Sequence, residues 1–432
     1  MDELTRLQTA TVSGAGARTR AMTEAEIRAL LVEALGAADL AGRRVLVIIP
    51  DSTRTAPIAL MSGILSEILG AEVEALDYLV ALGTHPAMDD AALSRLLGRE
   101  VKGGRAGDSR IFNHRWDLPE TFVTLGTITA AEVAAVTGGR LEMDVPVRLN
   151  RLVGEPDGGS PYDRIVVCGP VFPHEVAGFS GGNKYFVPGV AGPEVIDVTH
   201  WVGALLTSRG IIGVRDTPVR RLIDRAASFV PTPSLLIGLV MHGQALQGVF
   251  VGDMEDAWRA ATELSAELDI IVVERPFKQV LSVMPEMYDD LWTGAKGMYK
   301  LEPAIADGGE VVIYAPHITE VSYVHGHHLD EVGYHVRDYF LAQWDRFKHI
   351  PWGVLAHSTH LRGDGTFIDG VEKPRIRVTL ATGIPNERCE RIGLGYMDPD
   401  SVVLSEWEGR EDEGILLVPR AGEKLYRIKG DG

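Results

Sequence analysis

Between Gly169 and Trp201 the chain reads GPVFPHEVAGFSGGNKYFVPGVAGPEVIDVTHW, which sets His174, Lys184 and His200 around the glycine-rich segment Gly178–Asn183. Successive backbone N–H groups in such a turn can cradle a phosphate, and glycines leave the approach open. The nucleotide fingerprints nevertheless fail. GFSGGNKY is not GxxxxGK[ST], since Asn183 precedes the lysine and Tyr185 follows it, and GAGARTR at 14–20 lacks the last glycine of GxGxxG. Neither ATP nor a nicotinamide dinucleotide is therefore indicated. Arg54, Lys184 and Lys296 are lone cations in otherwise apolar or glycine-rich stretches. In an acidic protein, local positive charge of this kind suits an anionic small substrate.

The elements that must position these residues are those of an α/β protein. RRVLVIIP (43–50), EVEALDYLVAL (72–82), DRIVVCG (163–169), SLLIGLVMHG (234–243) and LDIIVVER (268–275) read as strands, and short runs rich in Val and Ile and bounded by Gly or Pro suit buried parallel strands. TEAEIRALLVEALGAA (23–38), IALMSGILSEILG (58–70) and MEDAWRAATELSAEL (254–268) carry apolar residues at helical spacing. Later, YDDLWTGAKGMYKLEPAIADGG (288–309) reads as helical, and EVVIYAP (310–316), WGVLAHS (352–358) and RIRVTLATG (375–383) read as strands. A proline-marked change of pattern near Pro276 divides the chain. The expected division is an N-terminal α/β cofactor-binding domain over 1–272 with its first 20 residues loose, a C-terminal α/β domain over 273–400, and a segment 401–432 that returns to the first domain.

At 432 residues the chain is too long for one ordinary core, and 45% hydrophobic with 24% charged residues is a globular composition. A net charge of −18 without a basic stripe argues against nucleic-acid binding and leaves small molecules as partners. The two cysteines, Cys168 and Cys389, have no CxxC spacing and indicate neither a disulfide framework nor a zinc ribbon. The first twenty residues lack the apolar core of a signal peptide, and no window of about 18 apolar residues appears. A cytoplasmic protein without membrane contact is expected.

PDSTRTAP (50–57), ALGTHPAM (81–88), PHEVAGFSGGNKYFVPG (173–189), VTHW (198–201), AHSTHLRG (356–363) and ATGIPNERCERIGLGYMDP (381–399) together resemble the nickel-pincer lactate racemase family. The resemblance implies two α/β domains with the active site in the cleft between them. It also implies a cofactor, a pyridinium mononucleotide whose two sulfur-bearing arms grip nickel through carbon and both sulfurs. By motif position Lys184 is the residue that tethers this nucleotide through a thioamide, and His200 is the remaining nickel ligand. Asp51, Ser180, Gly181 and Gly182 are further cofactor contacts, His85 and His174 the acid and base, and Arg54 and Lys296 the groups at the substrate carboxylate. The implied activity is racemisation or epimerisation of a 2-hydroxyacid by reversible hydride transfer from Cα to the pyridinium while a histidine takes the hydroxyl proton. The implied partners are that acid and the proteins that synthesise the cofactor.

Elementary chemistry agrees with this assignment. A square-planar Ni(II) with sulfur donors accepts an imidazole, so one histidine suffices when the cofactor brings the other ligands. A lysine crowded by backbone N–H dipoles has a lowered pKa and becomes nucleophilic. Mirror-image substrates call for a proton acceptor on each side of the reacting carbon, and histidine titrates near working pH. Two departures bear on the substrate. Where the family carries a glutamine three residues before the carboxylate lysine, this chain has Thr293, which makes room for an acid larger than lactate, such as a sugar acid. The family's active-site tryptophan has no fixed counterpart, although Trp344 and Trp352 lie nearby in sequence. The segment 320–340 adds His325, His327, His328 and His335. On a strand His325 and His327 would share a face, yet no carboxylate spacing completes a zinc site, and pocket lining is the expectation. Two other classes stay open: a carrier or sensor that binds the nickel nucleotide without turnover, disfavoured by the retention of both His85 and His174, and a zinc-dependent hydrolase built on HGHH.

Overall fold

The computed structural model describes residues 4–430, a mixed α/β protein with several sheets. They fall into two units: Met1–Phe172, Phe179–Ile196 and Arg215–Leu268 form the first, and Pro173–Gly178, Asp197–Val214 and Asp269–Gly432 the second.

The apolar runs build the sheet of the first unit. Its nine strands run in the order Thr5–Gln8, Val12–Gly16, Ala245–Asp253, Ser234–His242, Arg164–Pro170, Arg44–Pro50, Ala75–Ala81, Ser109–Asn113 and Arg105–Ala106. From Ser234–His242 to Ser109–Asn113 the pairing is parallel, as buried Val- and Ile-rich runs demand. Helices Glu24–Gly36 and Ile58–Leu69 pack Ile27, Leu31, Met61 and Ile64 into one core with Val45, Val47, Tyr78 and Val166. Thr23 and Glu26 close a capping box at the first of these helices. Leu31 is fully buried, and truncating such a side chain to alanine costs about 2–5 kcal/mol.

The stretch expected to be loose contributes two strands instead. Thr5–Gln8 pairs with Val12–Gly16, which pairs antiparallel with Ala245–Asp253. The reason lies in contacts distant in sequence. A Cβ on Gly14 would sit 2.4 Å from the Phe250 ring and one on Gly16 2.5 Å from Leu264, so bare backbone is what lets this edge close down.

The second unit has its own parallel sheet, in the order Gly395–Tyr396, Arg377–Thr382, Ile305–Ala315, Phe277–Val283 and Ile415–Val418. The segment 401–432, expected beside the first domain, supplies the edge strand Ile415–Val418 here and a second strand, Leu425–Ile428, that pairs with Ile270–Val273. Two local readings change. Residues 352–358, expected as a strand, belong to helix Trp352–Arg362, in which Val354 through Leu361 are all buried. A segment buried on every face has no periodicity to betray it. Gly326–Val332 is also a helix, so His325 and His327 do not share a strand face. Among the described residues, no helix is long and apolar enough to cross a membrane.

Candidate active site

In the first unit, Arg44–Pro50 and Ala75–Ala81 are neighbouring parallel strands that end in register, Pro50 opposite Ala81. The turns that follow them lie side by side for that reason, and they carry Asp51 and His85. His85 Nδ1 is 2.5 Å from Asp51 Oδ2, while the other carboxylate oxygen accepts the Thr53 N–H at 3.1 Å and the Thr53 hydroxyl at 2.6 Å. Asp51 is buried, and half-buried Arg54 donates to the Thr53 hydroxyl at 3.1 Å. Burial pushes the Asp51 carboxyl up, but the hydrogen bond and charge of His85, the Arg54 charge and the Thr53 hydroxyl outweigh it and hold the group down at about 2. Asp51 thus stands against the imidazole of His85 rather than apart from it. Gly83, at φ +57, makes the turn that brings His85 up, and its N–H donates to Gly189 O at 2.9 Å.

The glycine-rich loop follows Arg164–Pro170, the strand on the other side of Arg44–Pro50. Ser180 is engaged in closing this loop: its hydroxyl donates to Pro170 O at 3.0 Å and accepts the Phe172 N–H at 2.9 Å. Gly181 and Gly182 have φ of +77 and +59. A Cβ on Gly181 would meet Val171 at 2.6 Å and one on Gly182 the Trp258 ring at 3.1 Å, so the loop approaches these side chains as bare backbone. Lys184 sits half-buried on the short turn Gly182–Tyr185, its N–H donating to Gly181 O at 3.3 Å. The Tyr185 ring packs on Gly169, where a Cβ would lie 1.7 Å from the phenol oxygen.

The second unit holds the remaining residues. His174 is buried, and its Nδ1 accepts the Val176 N–H at 3.1 Å with Glu175 Oε2 at 3.4 Å. His200 is half-buried on helix Pro193–Leu206. Its neighbour Trp201 stacks on Trp344 at 5.0 Å, and Trp344 meets Trp352 edge-on at 5.2 Å. Buried His360 shares a 2.8 Å hydrogen bond with the Ser208 hydroxyl; burial first, then the nearby His200, pull its imidazole down to about 3. Thr293 donates its N–H and its hydroxyl to Asp290 Oδ1, at 2.9 and 2.8 Å, and Asp290 so caps the turn Leu291–Gly294. Half-buried Lys296 begins the next turn, with Nζ 5.0 Å from the centre of the Tyr288 ring.

The histidine-rich segment scatters. His325 and His357 both pack on Trp292, the latter stacked at 3.9 Å, while His335 pairs with Glu372 at 2.7 Å and stacks on Tyr339. Among the described residues no group of three or more His, Cys, Asp or Glu side chains is gathered to hold a metal ion. A single imidazole such as His200 fits a metal whose other donors arrive with a nucleotide, and the bare backbone at Gly181 and Gly182 fits a phosphate. Sequence patterns alone missed the Asp51–His85 contact, Arg220 and Trp258. Only the DSTR motif signalled any of these, and it did not say what Asp51 faces.

The model of the lactate racemase N-terminal domain matches residues 10–210. A lactate racemase from Thermoanaerobacterium thermosaccharolyticum is 26% identical over 278 residues, which cover 63% of this chain. The match spans 60% of the length of that curated relative. A crystal structure of a protein from Thermotoga maritima superposes with a TM-score of 0.84 at 31% identity, covering 95% of this chain and 100% of its own. The lactate racemase apoprotein from Thermoanaerobacterium thermosaccharolyticum superposes with a TM-score of 0.70 at 18% identity over 94% of each chain, a likeness of fold. Family model and sequence relative point one way: residues 10–210 belong to the lactate racemase N-terminal domain family, and the chain as a whole shares the fold of a lactate racemase.

Proposed function

We propose that the protein racemises or epimerises a 2-hydroxyacid larger than lactate, with a nickel-pincer nucleotide tethered to Lys184 and its nickel completed by His200. When bound, that nucleotide would supply the acceptor and donor for the hydride at the substrate Cα. The proton belongs to the protein. His85 faces the Asp51 carboxylate through Nδ1, so Nδ1–H donates and Nε2 carries the lone pair that takes the hydroxyl proton. His174 is held the other way: its Nδ1 accepts the Val176 N–H, which places the proton of the neutral ring on Nε2. The resting pair is thus one base and one acid, and the two exchange roles for the opposite enantiomer. This opposite setting of two imidazoles is the observation that carries the reading, and a mere carrier of the nucleotide would have no use for it. Arg54 and Lys296 hold the substrate carboxylate, and the short Thr293 leaves room for a longer chain.

The test is chiral chromatography with protein from cells that make the cofactor, over single-enantiomer 2-hydroxyacids from lactate to aldonates. At least one larger acid is interconverted faster than lactate, and His85→Ala and His174→Ala each lower that rate on the order of 10²- to 10⁴-fold with the Lys184 adduct intact. Adduct-bearing protein that interconverts none of the acids, or a histidine variant with near-normal turnover, refutes the proposal.

A further inference from the structure

Three consecutive carbonyls of the glycine-rich loop point at one place. Arg220, on helix Pro218–Ala227, is 3% exposed and donates through Nη2 to Phe179 O at 2.5 Å and through Nη1 to Gly181 O at 3.3 Å. Between them, the Trp258 indole N–H donates to Ser180 O at 2.8 Å, and the Arg220 guanidinium lies 4.1 Å from the centre of the Trp258 ring. Asp224, one turn along the same helix, is 3.9 Å from Arg220 and accepts the side-chain N–H of Asn183 at 3.0 Å. Burial pulls the guanidinium down to about 10, and its Nε has no acceptor among the described residues. A charge buried at this cost is no route to stability, because well-packed apolar residues serve that purpose as well or better.

In a trans peptide the carbonyl of one residue and the N–H of the next point in opposite directions. With the Ser180 and Gly181 carbonyls turned toward Trp258 and Arg220, the amides of Gly181 and Gly182 are turned away from them. Among the described residues neither amide meets a protein acceptor, whereas the Ser180 amide, turned by the Phe179 carbonyl, donates to Phe172 O at 2.8 Å. We propose that Arg220 is a positioning residue for the cofactor: by gripping the carbonyl side of Phe179–Gly181 it keeps the Gly181 and Gly182 amides presented to the phosphate of a pyridinium mononucleotide and sets the backbone from which Lys184 projects. This rests on the proposed function for the identity of the ligand. The loop geometry itself does not depend on it.

The experiment compares Arg220→Gln, Arg220→Lys and Trp258→Phe with the wild type. Hydrogen exchange followed by mass spectrometry reads the 178–184 peptide against the core strand Arg44–Pro50. Titration of apoprotein with nicotinic acid mononucleotide reads phosphate recognition, and intact mass from cofactor-making cells reads the tether. In Arg220→Gln, exchange at 178–184 rises tenfold or more with the core strand unchanged, mononucleotide affinity falls tenfold or more, and the adduct is lost. Arg220→Lys recovers part of each, and Trp258→Phe shifts them in the same direction by less. Unchanged exchange at 178–184 in Arg220→Gln overturns the inference, as does exchange rising equally in the core strand, which marks a structural role only. Altered loop exchange with unaltered mononucleotide affinity overturns the link to the anion. A wild type without any adduct refutes the tether, and the exchange and titration results still decide the role of Arg220.

Discussion

Replacing Asp51 by asparagine tests the acid–base reading most directly. The carboxyl sits at about 2 against an ordinary 3.8 although burial acts to raise it, and the imidazole of His85 is first among the groups that lower it. That displacement corresponds to roughly 2.5 kcal/mol at 1.36 kcal/mol per pH unit. It is the net of His85, Arg54 and Thr53 acting against desolvation, with His85 first among the three. An amide has no charge to stabilise His85 once it has taken the hydroxyl proton, and its NH₂ can donate to Nδ1 and so place the ring proton on the wrong nitrogen. Asp51→Asn therefore lowers kcat/KM on the order of 10²-fold. For a racemised substrate the loss is equal in both directions, since the equilibrium constant is one. The assay is the initial rate from each enantiomer by chiral chromatography, with the intact mass recorded to show the Lys184 adduct unchanged. Activity within twofold of wild type refutes the reasoning, and loss of the adduct assigns Asp51 to the cofactor instead of to His85. Stability gives a second reading. A depressed carboxyl contributes stability above its unfolded value that is lost as pH falls through its folded one, so wild type should lose about 2.5 kcal/mol between pH 3.8 and about 2 that Asp51→Asn never had.

Lys184→Ala abolishes the covalent adduct, whereas His200→Ala keeps the adduct and loses nickel, as intact mass and metal analysis will show; an adduct persisting in the lysine variant would falsify the tether. Thr293→Gln shifts preference toward smaller acids and, because the 2.8 Å bond to Asp290 is lost, lowers stability by about 1 kcal/mol, measured by specificity ratios and denaturant melts; a rise in the larger-to-smaller ratio contradicts the role of that position. Glu302 is fully buried, and burial first, then Asp364, push its carboxyl up to about 7, with Arg375 3.7 Å away opposing. A raised folded value means stability that is present below the unfolded pKa and lost as pH climbs through the folded one, from 4.5 to about 7. Glu302→Gln should therefore gain up to roughly 3 kcal/mol relative to wild type on going from pH 5 to pH 8, and equal pH profiles in thermal melts argue against it.

Residue type and local order alone determined the chemistry on offer. Lys184 beside a run of glycines, His200 in VTHW, and DSTR and GTHP after apolar runs need no folding to be recognised, because each pattern lies within a few residues of chain. The central strands were legible for a related reason: runs such as Val45–Ile49, buried on both faces, must be continuously apolar wherever they end up. Helix Trp352–Arg362 was not, since a helix buried all round looks the same as a buried strand. Nor were the strands Thr5–Gln8 and Val12–Gly16, which owe their place to glycines lying under Phe250 and Leu264, more than two hundred residues away. What each functional group touches belonged wholly to the tertiary structure. Asp51 meets His85 across 34 positions because two parallel strands end in register, and Arg220 and Trp258 reach the loop at Phe179–Gly181 from helices whose sequences carry no mark of it. Hydrogen bonds act over about 3 Å of space and are indifferent to chain separation, so the ring nitrogen each histidine exposes is decided only once the chain has folded.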